Sequence, residues 1–165
     1  MKPALLVIDI QKDFFDFDEA TTRSLKSAIE VINYAIKLFR TKGFPVISIQ
    51  HVDEEDHLEP GNNGFDLPDE LDILPGDLHI HKHYGNAFNK TDLAEELRKL
   101  DANLLILTGF CAENCVLSTY RGALDLDFKP ILLRDALASG DGENIRFVER
   151  ISEIISLGAL ESMLE

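Results

Sequence analysis

Five short apolar runs, most of them separated by stretches of helical periodicity, constrain the fold of this chain more than any other feature. Residues 4–8 (ALLVI) form the first run, which stops at Asp9 in the manner of a strand buried on both faces. The other runs are also short and partly β-branched: residues 45–49 (PVISI), 78–80 (LHI), 103–107 (NLLIL) and 130–133 (PILL). We therefore predict a β-strand at each of the five runs.

Apolar residues recur with the period of an α-helix between most of these strands. The pattern predicts four helices, over residues 25–39, 93–100, 116–124 and 145–155. Two parallel strands need a crossover, and the crossover is usually a helix, so this alternation predicts a parallel sheet covered on both faces. The expected fold class is α/β, as a Rossmann-like, three-layer αβα sandwich with a mostly parallel sheet of about five to six strands.

The length of 165 residues fits one domain over residues 1–165, and the 45% share of apolar, aromatic and cysteine residues can form its core. Only residues 51–76 break the alternation, because they combine prolines and glycines with many acidic side chains. In a compact domain, a connection of this length is usually a functional loop or lid. We expect it to border the functional site.

The charge balance limits the partners. The chain has 16 Lys and Arg residues against 30 Asp and Glu residues, a formal net charge of −14, which repels nucleic acids and anionic membrane surfaces. No apolar run is long enough to cross a bilayer, and no leader pattern is present, so we expect a cytoplasmic protein. The acidic residues concentrate in and beside residues 51–76, which favours a neutral or cationic small-molecule substrate.

Candidate catalytic residues follow three of the predicted strands. Asp9 ends the first, Lys82 lies just beyond the third, and the segment with Cys111 and Cys115 joins the fourth to a helix. Ligands of open parallel sheets bind outside the carboxyl ends of the strands, so an acid, a cation and a thiol are expected to converge there. An ammonium and a helix start lower the pKa of a thiol, and a carboxylate can move its proton, so the set indicates a nucleophilic hydrolase.

Three segments carry a family resemblance. Residues 9–14 (DIQKDF) resemble the D-x-Q-x-D-F signature of the isochorismatase-like cysteine hydrolases, the family that includes nicotinamidases and N-carbamoylsarcosine amidases. Residues 82–93 are similar to the family's K-x-x-x-S-A-F-x-x-T-x-L segment, with Asn86 in place of serine. Residues 109–119 (GFCAENCVLST) resemble the segment that presents the nucleophile. The resemblance extends from residue 4 to about residue 140.

The resemblance implies a role for each site residue. Cys115 would be the nucleophile, Asp9 the general base and acid, and Lys82 the cation that favours the thiolate. The backbone N–H groups of Cys111 and Cys115 would hold the oxyanion, after a cis peptide bond between residues 110 and 111. The remaining expected contacts are those with substrate, from Phe14, Gln11 and Phe110, although the two phenylalanines could equally pack in the core.

No metal or other cofactor is expected. The Asp-x-His pair by which nicotinamidases bind a metal is missing, and a solvated acidic loop is a simpler interpretation of Asp53, Asp56 and His57 than an irregular metal site. Residues 79, 81 and 83 are histidines that alternate with Lys82, so they should face away from the site if Lys82 faces it. Cys111 is expected to line the pocket, because no further cysteines complete a metal or redox centre.

The presence of Cys115 favours acyl chemistry on a carbon–nitrogen bond. The isochorismate-cleaving members of the family hydrolyse a vinyl ether by proton transfer and do not need a thiol. The sequence thus predicts a metal-independent amidohydrolase of a small amide, carbamoyl or ureido compound, assembled as a homo-oligomer as family members commonly are. Two alternatives stay open. One is a non-catalytic binding or scaffold protein, motivated by the unusual Asn86 and Glu113; the other is isochorismatase or nicotinamidase activity. A nucleotide-binding Rossmann module is disfavoured, since no glycine-rich turn follows the first strand.

Overall fold

The computed structural model describes residues 1–165 and contains one six-stranded sheet in which every neighbouring pair of strands is parallel. The strand order is β3-β2-β1-β4-β5-β6, so β1 lies inside the sheet. The strands are β1 (Pro3–Ile8), β2 (Val46–His51), β3 (Leu78–Lys82), β4 (Leu104–Gly109), β5 (Lys129–Leu137) and β6 (Ile154–Ile155). The helices are α1 (Glu19–Thr41), α2 (Leu93–Lys99), α3 (Leu117–Asp125), α4 (Gly142–Arg150) and α5 (Leu157–Met163). This confirms the predicted α/β class.

Helices cover both faces of the sheet. Alternate residues of β1 point to opposite faces, so that Leu6 and Ile8 pack into one core and Leu5 and Val7 into the other. The first core is closed by apolar side chains of α2, α3 and α4, and the second by those of α1 and α5. The result is the predicted three-layer αβα sandwich. None of the helices combines the length and the apolar character needed to span a membrane.

The prediction of one helix over residues 145–155 is wrong at its C-terminal end. Helix α4 stops at Arg150, and Ile154 and Ile155 form β6, which pairs with Leu132 and Leu133 at the edge of the sheet. The apolar residues at 154 and 155 continue the helical period of the preceding residues, and they also suit a short β-branched strand. Periodicity alone could therefore not separate a helix from a strand at this point. Helix α5, which follows β6, was not predicted.

The carboxyl ends of β1 and β4 are held together by a close backbone approach. Ile8 pairs with Gly109 in the sheet, and the N–H of Phe110 donates to the carbonyl of Ile8 at 2.8 Å. Gly109 has φ of +114°, and a Cβ atom on it would lie 2.1 Å from the carbonyl oxygen of Ile8. The strand order reverses at β1 and β4, where an open parallel sheet forms its ligand crevice.

Residues 52–76 pack over the strand ends rather than extending away from the protein. Val52, Leu58 and Phe65 form a small buried cluster against Phe14, which lies in a short 3-10 helix after β1. A bridge between residues 53 and 58 closes the first turn of the segment. The segment thus forms one wall beside the carboxyl ends of β1 and β2.

Candidate active site

The ammonium group of Lys82 is the centre of the site. Its Nζ atom lies 2.8 Å from Asp9 Oδ2, 3.1 Å from His51 Nδ1 and 3.4 Å from Cys115 Sγ. Lys82 is the last residue of β3, and its side chain is completely buried. An ammonium has three N–H donors and no acceptor, so each donor has one partner here. The structure therefore brings together the acid, the cation and the thiol that the sequence predicted.

Asp9 presents one unoccupied oxygen to this site. The residue is 1% exposed and its Oδ2 accepts from Lys82, but its Oδ1 is buried with no hydrogen-bond partner. Burial raises the pKa of Asp9 above the ordinary aspartate value, and the charge of Lys82 opposes that shift. Its backbone has φ of +52°, which turns the chain sharply at the end of β1. Asp9 Oδ1 is therefore an acceptor available for a proton.

The thiol of Cys115 is protonated at neutral pH, which corrects the expectation of a lowered pKa. Burial and the negative charge of Asp9 raise the pKa of Cys115 to about 12, and the opposing effect of Lys82 is smaller. The sequence pattern indicated the ammonium and the helix start, which lower the pKa of the thiol, but not the burial and the carboxylate charge, which raise it. In this geometry the thiolate forms only when Asp9 takes its proton.

His51 belongs to the site and was not among the predicted site residues. Its ring contacts Lys82. His51 is the last residue of β2, the strand that lies between β1 and β3 in the sheet. The signal was in the sequence, because His51 follows the second apolar run at the same edge of the sheet as Asp9.

Gln11 does not contact the pocket, so the prediction that it binds substrate is wrong. Its side chain is completely buried, with Oε1 accepting from the N–H of His51 at 2.7 Å and Nε2 donating to the carbonyl of His51 at 3.0 Å. The oxygen and the nitrogen of the Gln11 amide are therefore both hydrogen-bonded to the backbone of His51. Gln11 fixes the end of β2 and, through it, the position of the His51 ring.

Aromatic side chains form the walls of a pocket of about 360 Å³ above these residues. Phe14 and Phe110 are in contact, with ring centroids 5.0 Å apart, and both line the pocket together with the exposed Phe17. Asp9, His51, Cys111 and Cys115 supply its polar surface. A larger cavity of about 560 Å³ between α1 and residues 68–70 contains none of the catalytic candidates. The site can thus accept a small molecule with an apolar part.

The loop before Cys115 has a free backbone donor, the N–H of Cys111. The peptide bond between Phe110 and Cys111 is cis, as the family resemblance implies, and the N–H of Cys111 donates to no group of the protein. Cys115 lies in a π-helical turn, Ala112–Val116, which leads into α3. Burial raises the pKa of the Cys111 thiol to about 12, so this second thiol is also neutral.

Glu113 and Asn86, the two residues that depart from the family pattern, have structural contacts away from the reacting groups. Glu113 Oε1 accepts hydrogen bonds from Ser139 and Asn144, which join the nucleophile turn to the start of α4. Asn86 accepts from the N–H of Phe88. Neither residue lies between Asp9, Lys82 and Cys115, so neither blocks their interaction.

A metal ion does not fit the cluster at the centre of the site. Ligand atoms of Asp9, His51 and Cys115 lie within 4.8 Å of one another, but the Lys82 ammonium already contacts all three. A bound cation would have to displace that buried positive charge, which costs several kcal/mol. Asp53 is engaged elsewhere, since its Oδ1 accepts from two backbone N–H groups of its own turn.

The three alternating histidines lie on the far side of β3, as predicted. His79, His81 and His83 are exposed, whereas Lys82 is buried. The ring of His81 packs edge-on against Phe65, with centroids 5.0 Å apart. None of the three therefore contributes to the catalytic cluster.

Comparisons with known proteins find a matching domain family and several sequence relatives. Residues 3–149 match the isochorismatase domain. The uncharacterized isochorismatase family protein YrdC of Bacillus subtilis (strain 168) is 32% identical over 140 residues, which cover 84% of this chain and 74% of YrdC. The ureidoacrylate amidohydrolase RutB of Cronobacter turicensis is 28% identical over 172 residues, with 81% of this chain and 73% of RutB covered.

A solved structure extends the similarity to three dimensions. The N-carbamoylsarcosine amidase of Thermoplasma acidophilum superposes with a TM-score of 0.81 at 26% identity, covering 94% of this chain and 95% of that one. The shared architecture includes the parallel sheet on which the candidate residues lie.

Proposed function

The chain belongs to the isochorismatase domain family of hydrolases, and we propose that it is a metal-independent cysteine amidohydrolase acting on a small amide, carbamoyl or ureido compound. The observation that carries this proposal is the position of the Lys82 ammonium between Asp9 and Cys115, with Asp9 Oδ1 buried and unoccupied. A base, a nucleophile and a charge that stabilises both anionic forms are then in contact.

These contacts support the following reaction. Asp9 Oδ1 takes the proton of the Cys115 thiol as Sγ attacks the carbonyl carbon of the substrate. The carbon–nitrogen bond then breaks, the leaving nitrogen takes the proton from Asp9, and a thioester remains on Cys115. Asp9 next takes a proton from an attacking water molecule, and collapse of the second tetrahedral intermediate releases the acid product and restores the thiol. The Lys82 side chain contacts both Asp9 Oδ2 and Cys115 Sγ and stabilises whichever of the two is negative.

The oxyanion of each tetrahedral intermediate would bind to the backbone N–H groups of Cys111 and Cys115. The N–H of Cys111 is free of any partner in the protein, and Cys115 lies in the first turn of a helical segment, where the dipole favours negative charge. Donors of this kind contribute most when they are already in place before the reaction begins.

The substrate class is supported by the pocket and by the relatives. A pocket of about 360 Å³ with walls from Phe14, Phe17 and Phe110 suits a small and partly apolar molecule. The names of two relatives, a ureidoacrylate amidohydrolase and an N-carbamoylsarcosine amidase, describe hydrolysis of a ureido or carbamoyl group. The substrates named there also carry a carboxylate, which the substrate proposed for this chain lacks. Asp13, Asp53 and Asp56 line the adjoining cavity and repel an anion such as isochorismate.

Ammonia release from a panel of small primary amides, carbamoyl and ureido compounds tests the proposal. We expect release with the wild-type protein and none with Cys115→Ala, while Cys111→Ala, which keeps its backbone N–H, retains turnover. Mass spectrometry of the wild type under turnover should detect an acyl adduct on Cys115. Equal release by the wild type and Cys115→Ala would exclude Cys115 as nucleophile. No release from any compound by the folded wild type would favour a non-catalytic binding protein.

We also propose that the protein works as a homo-oligomer on a small-molecule substrate. Phe17 beside the pocket is 64% exposed, and we place this apolar side chain in the contact between copies of the chain. Sedimentation velocity of the wild type and of Phe17→Ser tests this assembly. A monomeric wild type at micromolar concentration would contradict it.

A further inference from the structure

The contact with Lys82 determines which nitrogen of the His51 ring carries the proton. Lys82 Nζ lies 3.1 Å from His51 Nδ1, and an ammonium can only donate. Nδ1 must therefore offer its lone pair, and the proton of the neutral ring is on Nε2. Burial and the adjacent charge of Lys82 lower the pKa of His51, which keeps the ring neutral at pH 7. The far side of the ring is thus a hydrogen-bond donor.

That donor is not used within the protein. His51 Nδ1 makes the only hydrogen bond of the ring, and Nε2 is not among the buried atoms that lack a partner, so it is accessible. The ring lines both the catalytic pocket and the adjoining cavity of about 520 Å³, at the boundary marked by Phe14 and Phe17. An accessible donor that is held by Lys82 and Gln11 is oriented before any ligand binds.

We propose that the Nε2–H group of His51 binds a second carbonyl oxygen of the substrate, next to the amide that Cys115 attacks. This inference rests on the proposed amidohydrolase function and defines its substrate class. A ring nitrogen of His51 lies within 4.8 Å of Cys115 Sγ, and a single ring carbon separates Nε2 from Nδ1. The second oxygen is therefore a few bonds from the scissile carbon, as in a β-keto amide or an acylated urea.

The second oxygen belongs to a neutral group. Asp13, Asp53 and Asp56 line the cavity on the far side of His51, and the ring itself is uncharged. A carboxylate bound to Nε2 would face these acidic side chains, and the charge of Lys82 on the other side of the ring is already paired with Asp9. A ketone, amide or ureido carbonyl accepts the same hydrogen bond without that repulsion.

Two substitutions of His51 test its two ring nitrogens separately. His51→Asn places an amide oxygen near the position of Nδ1, so it keeps an acceptor for Lys82 and loses the donor that reaches the pocket. His51→Gln extends an NH₂ group toward the position of Nε2 and keeps that donor. Both variants are made in the Cys115→Ala protein, so that binding is measured without hydrolysis.

Butyramide and acetoacetamide are the matched ligands, because they differ only in a CH₂ group replaced by a carbonyl. We expect acetoacetamide to bind roughly 3- to 10-fold more tightly than butyramide when residue 51 is His or Gln, and equally when it is Asn, as the loss of one neutral hydrogen bond predicts. The anionic analogue malonamate should bind no more tightly than acetoacetamide. Dissociation constants from calorimetry or NMR titration give the comparison.

Three results would overturn this inference. They are the absence of a preference for acetoacetamide with His51, the same preference with Asn as with His, and tighter binding of malonamate. The ¹⁵N chemical shifts of the His51 ring in the unmodified protein provide a check that needs no variant, since a proton on Nδ1 would exclude it. Because binding is measured without turnover, absence of hydrolysis by the Cys115-containing protein would overturn only the proposed function.

Discussion

The Lys82 ammonium and the Asp9 carboxylate are in contact at 2.8 Å, with 0% and 2% of their side chains exposed. Neither charge can be solvated by water, so each depends on the other. The pair also joins the outermost strand β3 to the inner strand β1 across β2. This one contact therefore contributes both to the stability of the sheet edge and to the chemistry of the site.

Replacement of Lys82 by Met should destabilise the protein as well as abolish hydrolysis. Removal of one partner leaves Asp9 buried and uncompensated, which costs about 3–5 kcal/mol of unfolding free energy at neutral pH. The double variant with Asp9→Asn should recover part of that loss, because no unpaired charge remains. Urea denaturation measures the free energies of unfolding. Lys99→Met, which removes an exposed pair with Glu95, is the control and should have a much smaller effect.

The sequence identified Asp9, Lys82 and Cys115 because each follows or ends an apolar run, and the carboxyl ends of parallel strands share one edge of the sheet. That argument needs only the order of the strands. It also predicted the αβα layers, since the alternation of strands and helices leaves few other arrangements. The alternation did not predict the strand at residues 154–155, because a two-residue strand has no period of its own.

Properties that depend on distances between side chains could not be predicted in the same way. Burial and Asp9 raise the pKa of Cys115, whereas Lys82 lowers it. Which effect is larger depends on the distances in the folded protein. Gln11 shares a motif with Asp9, but the direction of its side chain is set by the backbone of His51. Such roles follow from tertiary contacts, which composition and spacing do not contain.

The pH dependence of kcat/KM should report the raised pKa of Asp9. The active form has an Asp9 carboxylate and a Cys115 thiol, so activity falls as the pH decreases through the pKa of the carboxyl group. Because burial raises that pKa, the acid limb of the profile should be centred above the ordinary aspartate value of 3.8. A pH–rate profile with a neutral amide substrate measures it. An acid limb centred at or below pH 3.8 would contradict the assigned environment of Asp9.

Asp9→Asn should have opposite effects on hydrolysis and on alkylation of Cys115. Hydrolysis is lost because no base remains. The charge of Asp9 helps to raise the thiol pKa to about 12, so its removal lets Lys82 lower that pKa and increases the thiolate fraction. Iodoacetamide should then react faster at pH 8, by roughly threefold for each unit by which the pKa falls.

Both proteins in the alkylation experiment carry Cys111→Ala, so that only Cys115 reacts. The rates are followed by mass spectrometry. A slower reaction of the Asp9→Asn protein would mean that Asp9 stabilises the thiolate in the resting site, which is the reverse of the electrostatic balance described here.

Gly109→Ala should disrupt the connection between the sheet and the nucleophile loop. A Cβ atom would lie 2.1 Å from the carbonyl oxygen of Ile8 and 2.7 Å from its nitrogen, and φ of +114° is unfavourable for alanine. The backbone of Ile8 cannot move away easily, since its carbonyl also accepts from the N–H of Phe110 at 2.8 Å. We expect a loss of at least about 2 kcal/mol in unfolding free energy, together with reduced turnover from displacement of Phe110. Gly158→Ala in α5 has no atom within 4 Å of the new Cβ and should instead stabilise the protein by about 0.5–1 kcal/mol, so equal stabilities of the two variants would contradict this account.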